Sequence, residues 1–135
     1  MPIKNYTTKV EAIRSVAEIC ECLAQSGASM IRQEYEAGRP VGISFLIATP
    51  CGMRGFRIPV SVEKLAELLK KQNVKADAKQ VQNIAWRNVR DWVYAQMALL
   101  ETEMVSLDEV FLPYMIDSEG STVYDRYVQR QLLLE

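Results

Sequence analysis

The strongest constraint on the fold of this chain is a helical pattern that runs over residues 78–103. Its apolar residues recur at helical spacing on two faces. One face carries Val81, Ile84, Ala85, Val89, Trp92, Gln96 and Leu99, and the second carries Trp86, Val93, Met97, Leu100 and Met104. A helix that is apolar on two faces packs on two sides, either inside its own fold or against a second copy. The pattern therefore predicts a long helix that is covered on both sides.

Shorter patterns on either side of this segment predict the other elements. A helix over residues 9–26 begins with a capping box of Thr8 and Glu11 and ends at Gly27. Three strands, over residues 28–35, 41–49 and 53–60, are joined by short turns, which favours an antiparallel meander. Further helices are predicted over residues 62–72, ahead of Pro113 and over residues 123–134.

The expected fold is α+β, with an N-terminal helix, a three-stranded antiparallel meander and then three to four helices packed mostly on one face of the sheet. The chain has 135 residues, 49% of them apolar, which suits a single domain, residues 1–135, with its own core. In the middle strand the residues Gly42, Ser44, Leu46 and Ala48 alternate with large apolar ones. The smaller set predicts a sheet face that is partly covered.

Catalytic chemistry has little support in the sequence. The chain has no histidine, which removes the commonest general base and the commonest metal ligand. Cys20 and Cys22 lie about 200° apart around a helix, so they cannot share a metal ion. The acidic cluster consists of Glu101, Glu103, Asp108 and Glu109. Acidic residues are common in the first turn of a helix, because the helix dipole stabilises negative charge there. Taken with the missing histidines and the diverging cysteines, this predicts no enzyme, no metal site and no cofactor.

The cysteines and the N-terminal residues indicate the cellular compartment of the protein. Three cysteines do not suit a secreted disulfide framework. No apolar run approaches the roughly 20 residues of a membrane span, and the first residues lack the pattern of a signal peptide. We expect a cytosolic protein with no membrane contact.

Charge is distributed unevenly along the chain. Residues 1–90 carry 14 Lys/Arg and 8 Asp/Glu, whereas residues 91–135 carry 2 Lys/Arg and 9 Asp/Glu, so balances of +6 and −7 give the net charge of −1. Residues 51–90 alone hold 9 Lys/Arg against 3 Asp/Glu. Such asymmetry indicates a partner with an oriented charge, or a self-partner that pairs basic with acidic ends.

The positive charge is densest at the elbow between the second and third predicted helices. Its lysines are suited to holding phosphates, and arginines of the third helix and the third strand can extend the patch. The predicted nucleic-acid site comprises Arg54, Arg57, Lys70, Lys71, Lys75, Lys79, Arg87 and Arg90. A purely structural role for these residues is the alternative. In it, Trp86 and Trp92 are core residues beside a solvated stripe, and Arg87 pairs with Asp91 on the same helix.

Several segments resemble a recurrent type of small open reading frame in bacteriophages and other mobile elements. They are Gly27-Ala28, Phe56-Arg57-Ile58-Pro59, Ala85-Trp86-Arg87, Asp91-Trp92-Val93, Ala95-Gln96, Ala98-Leu99 and Val110-Phe111-Leu112-Pro113-Tyr114-Met115. The resemblance implies a viral or mobile-element origin, and hence a short protein that binds host or viral nucleic acid or proteins. No functional residues are carried over with it.

Two functions follow as expectations. The first is a non-catalytic accessory protein that binds nucleic acid through the basic elbow. The second is a factor that binds a host protein and disables an enzyme or defence system, with the acidic C-terminal half as its contact surface. We also expect a homodimer, because Leu132, Leu133 and Leu134 have few polar neighbours; the alternative is that the last helix buries them in its own core.

Overall fold

A computed structural model describes residues 1–130 of the chain, and these residues adopt an α+β fold. In chain order the elements are α1 (Ala12–Gln25), β1 (Met30–Glu36), β2 (Arg39–Thr49), β3 (Gly52–Arg57), α2 (Val62–Lys71), α3 (Ala78–Glu101), α4 (Leu107–Phe111), a 3₁₀ turn (Leu112–Tyr114), β4 (Met115–Ile116) and α5 (Val123–Arg130). The predicted α+β class is confirmed. The leucines at 132–134, on which the dimer expectation depends, lie outside the described residues.

The sheet is antiparallel, with the strand order β1-β2-β3-β4. Its first three strands form the predicted meander. The fourth was not predicted: two residues, Met115 and Ile116, pair with Phe56 and Gly55 of β3. A two-residue strand is too short to show the period-two pattern that identifies strands in a sequence.

The core lies between one face of the sheet and the helices α1 and α3. Ile43, Phe45 and Phe56 cover that sheet face and are at most 3% exposed. Trp86 of α3 is fully buried, and its indole Nε1 donates a hydrogen bond to the carbonyl oxygen of Pro40 at 3.1 Å. If the buried indole N–H had no acceptor, its hydrogen-bonding capacity would be left unsatisfied at a cost in free energy. The bond to Pro40 therefore fixes α3 to the start of β2.

The helix α3 packs on two sides, as its pattern predicts, although only along part of its length. Trp86 and Val93 face the main core, while Val81 and Ile84 pack with α2 in a second, smaller cluster. Near the C-terminus of the helix the pattern overstates the packing, since Leu99 is 40% exposed. No helix within residues 1–130 has the length and apolar character needed to cross a bilayer.

Most helix termini follow local sequence signals. The Ser61 and Asp77 side chains accept from the backbone N–H groups three residues on, and Ser106 with Glu109 forms a reciprocal capping box at α4. Gly27 takes the left-handed conformation that stops α1, at φ 107°.

The start of α1 is different, and the predicted capping box of Thr8 and Glu11 is wrong. The helix begins at Ala12, whose N–H donates at 2.9 Å to Oδ1 of Asn83, a residue of α3. The Thr8 hydroxyl instead accepts from the N–H of Val10 at 3.2 Å. A side chain from the neighbouring helix has taken the place of the local cap, because α3 lies against this end of α1.

Candidate binding site

The eight predicted cations do not form one surface. Arg87 and Arg90 turn toward α1, where both contact the Glu18 carboxylate, with nitrogen–oxygen distances of 3.3 Å and 3.0 Å. Their side chains are only 20% and 23% exposed. The predicted pair between Arg87 and Asp91 is wrong: Asp91 pairs with its neighbour Arg90 at 3.1 Å. Glu18 attracts Arg87 away from its own helix.

These groups belong to a half-buried polar network that joins α1, α3 and the N-terminal segment. Lys4 and Asn5 both reach Asp91, at 3.3 Å and 2.9 Å. Burial would raise the pKa of Glu18, but the hydrogen bond from Arg90 and the charge of Arg87 outweigh it and hold that pKa below its usual range. Both arginines are thus engaged in ion pairs at the contact between α1 and α3 and are not free at the elbow.

Arg54 and Arg57 lie on opposite faces of the sheet. Arg54 is opposite Ile47 in the β2–β3 register, whereas Arg57 is opposite Ser44. Successive residues of a strand point to opposite faces, so two residues three apart cannot share one surface. The two arginines therefore do not extend the elbow as one surface.

Only part of the predicted elbow remains basic and free. Lys79 pairs with Glu11 of the N-terminal segment at 3.2 Å. Lys70, Lys71 and Lys75 are exposed and make no ion pair within residues 1–130. Lys70 and Lys71 lie in the last turn of α2, where the helix dipole favours positive charge.

The acids of the C-terminal half are largely engaged with their own neighbours. Glu109 completes the cap of α4. Asp117 and Glu119 both bind Arg126, at 2.9 Å and 2.6 Å. Within the described part of the chain, no group of three or more His, Cys, Asp or Glu residues is arranged to hold a metal ion. The acidic half therefore does not present these carboxylates as one free surface.

The sheet face that points away from α1 and α3 is only partly covered, and we call it the open face. An apolar row crosses all four strands on it, through the register positions Met30, Leu46, Gly55 and Ile116. Beside this row a polar row runs through Arg32, Ser44 and Arg57. Met30 is 67% exposed, whereas Leu46, Gly55 and Ile116 are half-buried. The partly covered face predicted from β2 is this one.

Two hollows adjoin each other on the open face and share Ile116. One, of about 230 Å³, lies over the middle of the sheet, between Met30, Leu46 and Gly55. The other, of about 290 Å³, lies between β4 and α5. Gly55 supplies the depth of the first hollow, because a glycine leaves a gap between the side chains of Leu46 and Ile116.

The chemistry of the open face is that of a shallow binding surface. Arg32 and Arg57 are exposed, and neither forms an ion pair among the residues that the structure describes. The apolar and polar rows contain no aromatic side chain on which a nucleic-acid base can stack. The surface therefore offers apolar contact next to positive charge.

Sequence reasoning missed this site although one signal was present. The alternation along β2 separates the two faces of that strand, and successive residues of β3 alternate between faces in the same way. The same parity places Arg32 and Arg57 on one face and removes Arg54 from it. What the sequence does not contain is the pairing of Gly55 with Ile116, which brings the segment after α4 onto the sheet.

Comparison with other proteins adds no relative: no protein-family model, curated protein or solved structure matches this chain.

Proposed function

We propose that this protein is a non-catalytic binding factor whose open face holds an apolar and acidic segment of a partner protein. The observation that carries the proposal is the apolar row of Met30, Leu46 and Ile116 directly beside the exposed Arg32 and Arg57. Contact surfaces of proteins combine such an apolar centre with a charged rim. The proposal keeps the protein-binding class expected from the sequence and moves its contact surface from the acidic half to the sheet.

The two rows determine the chemistry of the partner segment. Aliphatic side chains fit the hollow over Gly55, since its walls are Leu46 and Ile116. Acidic side chains next to them lie within reach of Arg32 and Arg57, neither of which forms an ion pair within 4.0 Å among residues 1–130. An arginine can bind a carboxylate through two parallel hydrogen bonds, which fixes the orientation of the segment.

Gly55 allows a sharp test of this proposal. A Cβ built at this position meets nothing closer than the carbonyl oxygen of Phe45 at 3.8 Å, an ordinary van der Waals contact, so the backbone accepts a Cβ here. Gly55→Ile fills the hollow with a residue that favours strands. We expect its thermal stability to be unchanged or raised, and its binding of peptides that alternate leucine with glutamate to be lost.

The binding measurement is fluorescence polarisation with labelled peptides in which leucine alternates with glutamate, and a second set in which it alternates with lysine. The wild type should prefer the acidic set, and Arg57→Glu should remove that preference. Met104→Glu is the control, since Met104 is 73% exposed and lies outside the open face. Equal binding of the two peptide sets, or a Gly55→Ile variant that binds like the wild type, would refute the proposal.

A second candidate, weak binding of nucleic acid, is favoured by Lys70, Lys71 and Lys75. These three exposed lysines lie within six positions of each other at the end of α2 and the following loop. Binding by them should weaken steeply with salt, because each neutralised phosphate releases counterions. The apolar and polar rows of the open face, which carry no aromatic side chain, are not needed for this binding.

The test of this candidate is an oligonucleotide titration at about 50 mM salt, near the low end of the range over which such binding is strong. Changing Lys70, Lys71 and Lys75 together to glutamate should abolish binding. Lys64→Glu is the control, because Lys64 is exposed on the same helix but away from the elbow. Binding that survives the triple substitution would show that the elbow is not the site.

A further inference from the structure

β1 is an edge strand with an exposed outer side. It pairs with β2 alone, and of its residues only Ile31 is half-buried while the others are exposed. An edge strand presents N–H and C=O groups that no neighbouring strand uses. Such an edge is a template for pairing with another strand, unless charge, proline or a covering element prevents it.

From the sequence of this edge we infer that β1 pairs antiparallel with β1 of a second copy, in a two-fold register centred on Gln33. In that register Gln33 faces its own counterpart, Arg32 faces Glu34, and Ile31 faces Tyr35. Successive residues of a strand point their N–H and C=O groups alternately toward the two neighbouring strands. Residues that face each other in this register are an even number of positions apart, so the outward groups of one copy meet the outward groups of the other. The result is one continuous sheet across the dimer.

The charges of the strand select this register over its neighbour. Centred on Gln33, the two-fold axis produces two pairs of Arg32 with Glu34, and opposite charges that face each other across strands are stabilising. Moved by one residue, so that Arg32 is central, the axis would place two arginines opposite each other. The shift in the β1–β2 register falls after Glu34, so Arg32 and Glu34 both lie in the regular part of the strand.

A second observation favours the same interface. On α1, the residues Ile13, Ala17 and Ala24 are exposed, with Ile13 60% exposed. Cys20, on the same side of α1, accepts a hydrogen bond from Nε2 of Gln33 at 3.3 Å. This apolar stripe therefore borders the free edge of β1. Pairing of two β1 strands brings the two stripes to the same side of the joined sheet.

Substitution of Arg32 and Glu34 tests the interface through charge. Within residues 1–130 neither residue forms an ion pair, and their partners on β2 are Ser44 and Gly42, so reversal of either charge leaves the monomer intact. Arg32→Glu and Glu34→Arg should each weaken the homodimer on the order of tenfold to a hundredfold, because each reverses two symmetry-related pairs.

The decisive experiment mixes these two single variants. Arg32→Glu alone places glutamates opposite each other, and Glu34→Arg alone places arginines opposite each other. Together they restore opposite charges at both positions, so the mixture should form a heterodimer at twice the 15.4 kDa chain mass while each variant by itself stays monomeric. Native mass spectrometry with one variant isotopically labelled identifies the heterodimer.

Sedimentation velocity from about 1 to 100 μM, a range around the micromolar affinity of a modest interface, measures the state of each sample. The wild type and the double variant Arg32→Glu/Glu34→Arg should dimerise, and the control Lys64→Glu, with the same change of net charge as Arg32→Glu, should dimerise like the wild type. A wild-type monomer at every concentration overturns the inference. So does a dimer that Arg32→Glu leaves unchanged, or a mixture of the two single variants that remains monomeric.

Discussion

Phe111 is the residue through which the C-terminal segment should be held on the sheet. It lies at the end of α4, a helix of five residues, and is 0% exposed. Its ring makes edge-type contacts with Phe45, Phe56 and Trp92, at centroid distances of 5.8, 6.0 and 5.5 Å. A helix this short has little stability of its own, so the ring must supply most of what keeps α4 in place.

The substitution Phe111→Ala should therefore be costly. Truncation of a buried phenylalanine typically lowers the free energy of unfolding by about 3–5 kcal/mol, and the lost aromatic contacts place this site toward the upper end of that range. Since a whole domain is stable by about 5–15 kcal/mol, the variant should lose a third or more of its stability. Its melting temperature should fall by roughly 10–20 °C.

Urea unfolding followed by far-ultraviolet circular dichroism is the suitable assay, because Trp92 touches Phe111 and its fluorescence would respond to the local change itself. Leu112→Ala is the matched control: Leu112 is the next residue and is 47% exposed, so its loss should cost about 1 kcal/mol or less. Phe111→Leu keeps part of the volume and should fall between the two. A Phe111→Ala variant as stable as Leu112→Ala would show that the ring does not anchor α4.

Two further predictions concern α1. Asn83→Ala should lower the free energy of unfolding by about 1–2 kcal/mol, because it removes the side-chain oxygen that caps the N–H of Ala12, whereas Thr8→Ala should cost about 0.5 kcal/mol or less; equal losses in urea titrations would contradict the cap. The lowered pKa of Glu18 means that the unfolded chain binds its proton more readily, so stability should be present above the ordinary pKa of about 4.3 and be lost as pH falls through the lower folded pKa. Glu18→Gln should be less stable at pH 7 and lose less on acidification between pH 7 and 3.

The parts of the fold that local sequence signals determine were predictable. The meander follows from three strands joined by short turns, and it is in the structure as predicted. The caps at Ser61, Asp77 and Ser106 also depend on residues only a few positions apart. The start of α1 was not predictable in this way, because its cap comes from Asn83, 71 positions along the chain.

In the candidate site, too, local features were predictable and features that depend on long-range contacts were not. The partners of Arg87 and Arg90 were missed because Glu18 is 69 and 72 positions away, and no pattern near the arginines indicates it. The placement of Arg54 and Arg57 on opposite faces could have been predicted from the sequence, since residues three apart in a strand point to opposite faces. Prediction of the open face would have required knowledge that β4 pairs with β3, and this long-range contact is made by only two residues of β4.

The open face and the free edge of β1 use different directions of the same sheet. Side chains stand perpendicular to a sheet, whereas the hydrogen-bonding groups of an edge strand lie in its plane, so the side chain of Arg32 is the group that a partner on the face and a second copy at the edge would share. A dimer formed through β1 would place two open faces side by side and bind two partner segments. Gly55→Ile should then abolish binding of the segment and leave the dimer intact. Glu34→Arg should separate the subunits and leaves Arg32 and Arg57 in place, so each subunit should still accept a segment and the two proposals are tested independently of each other.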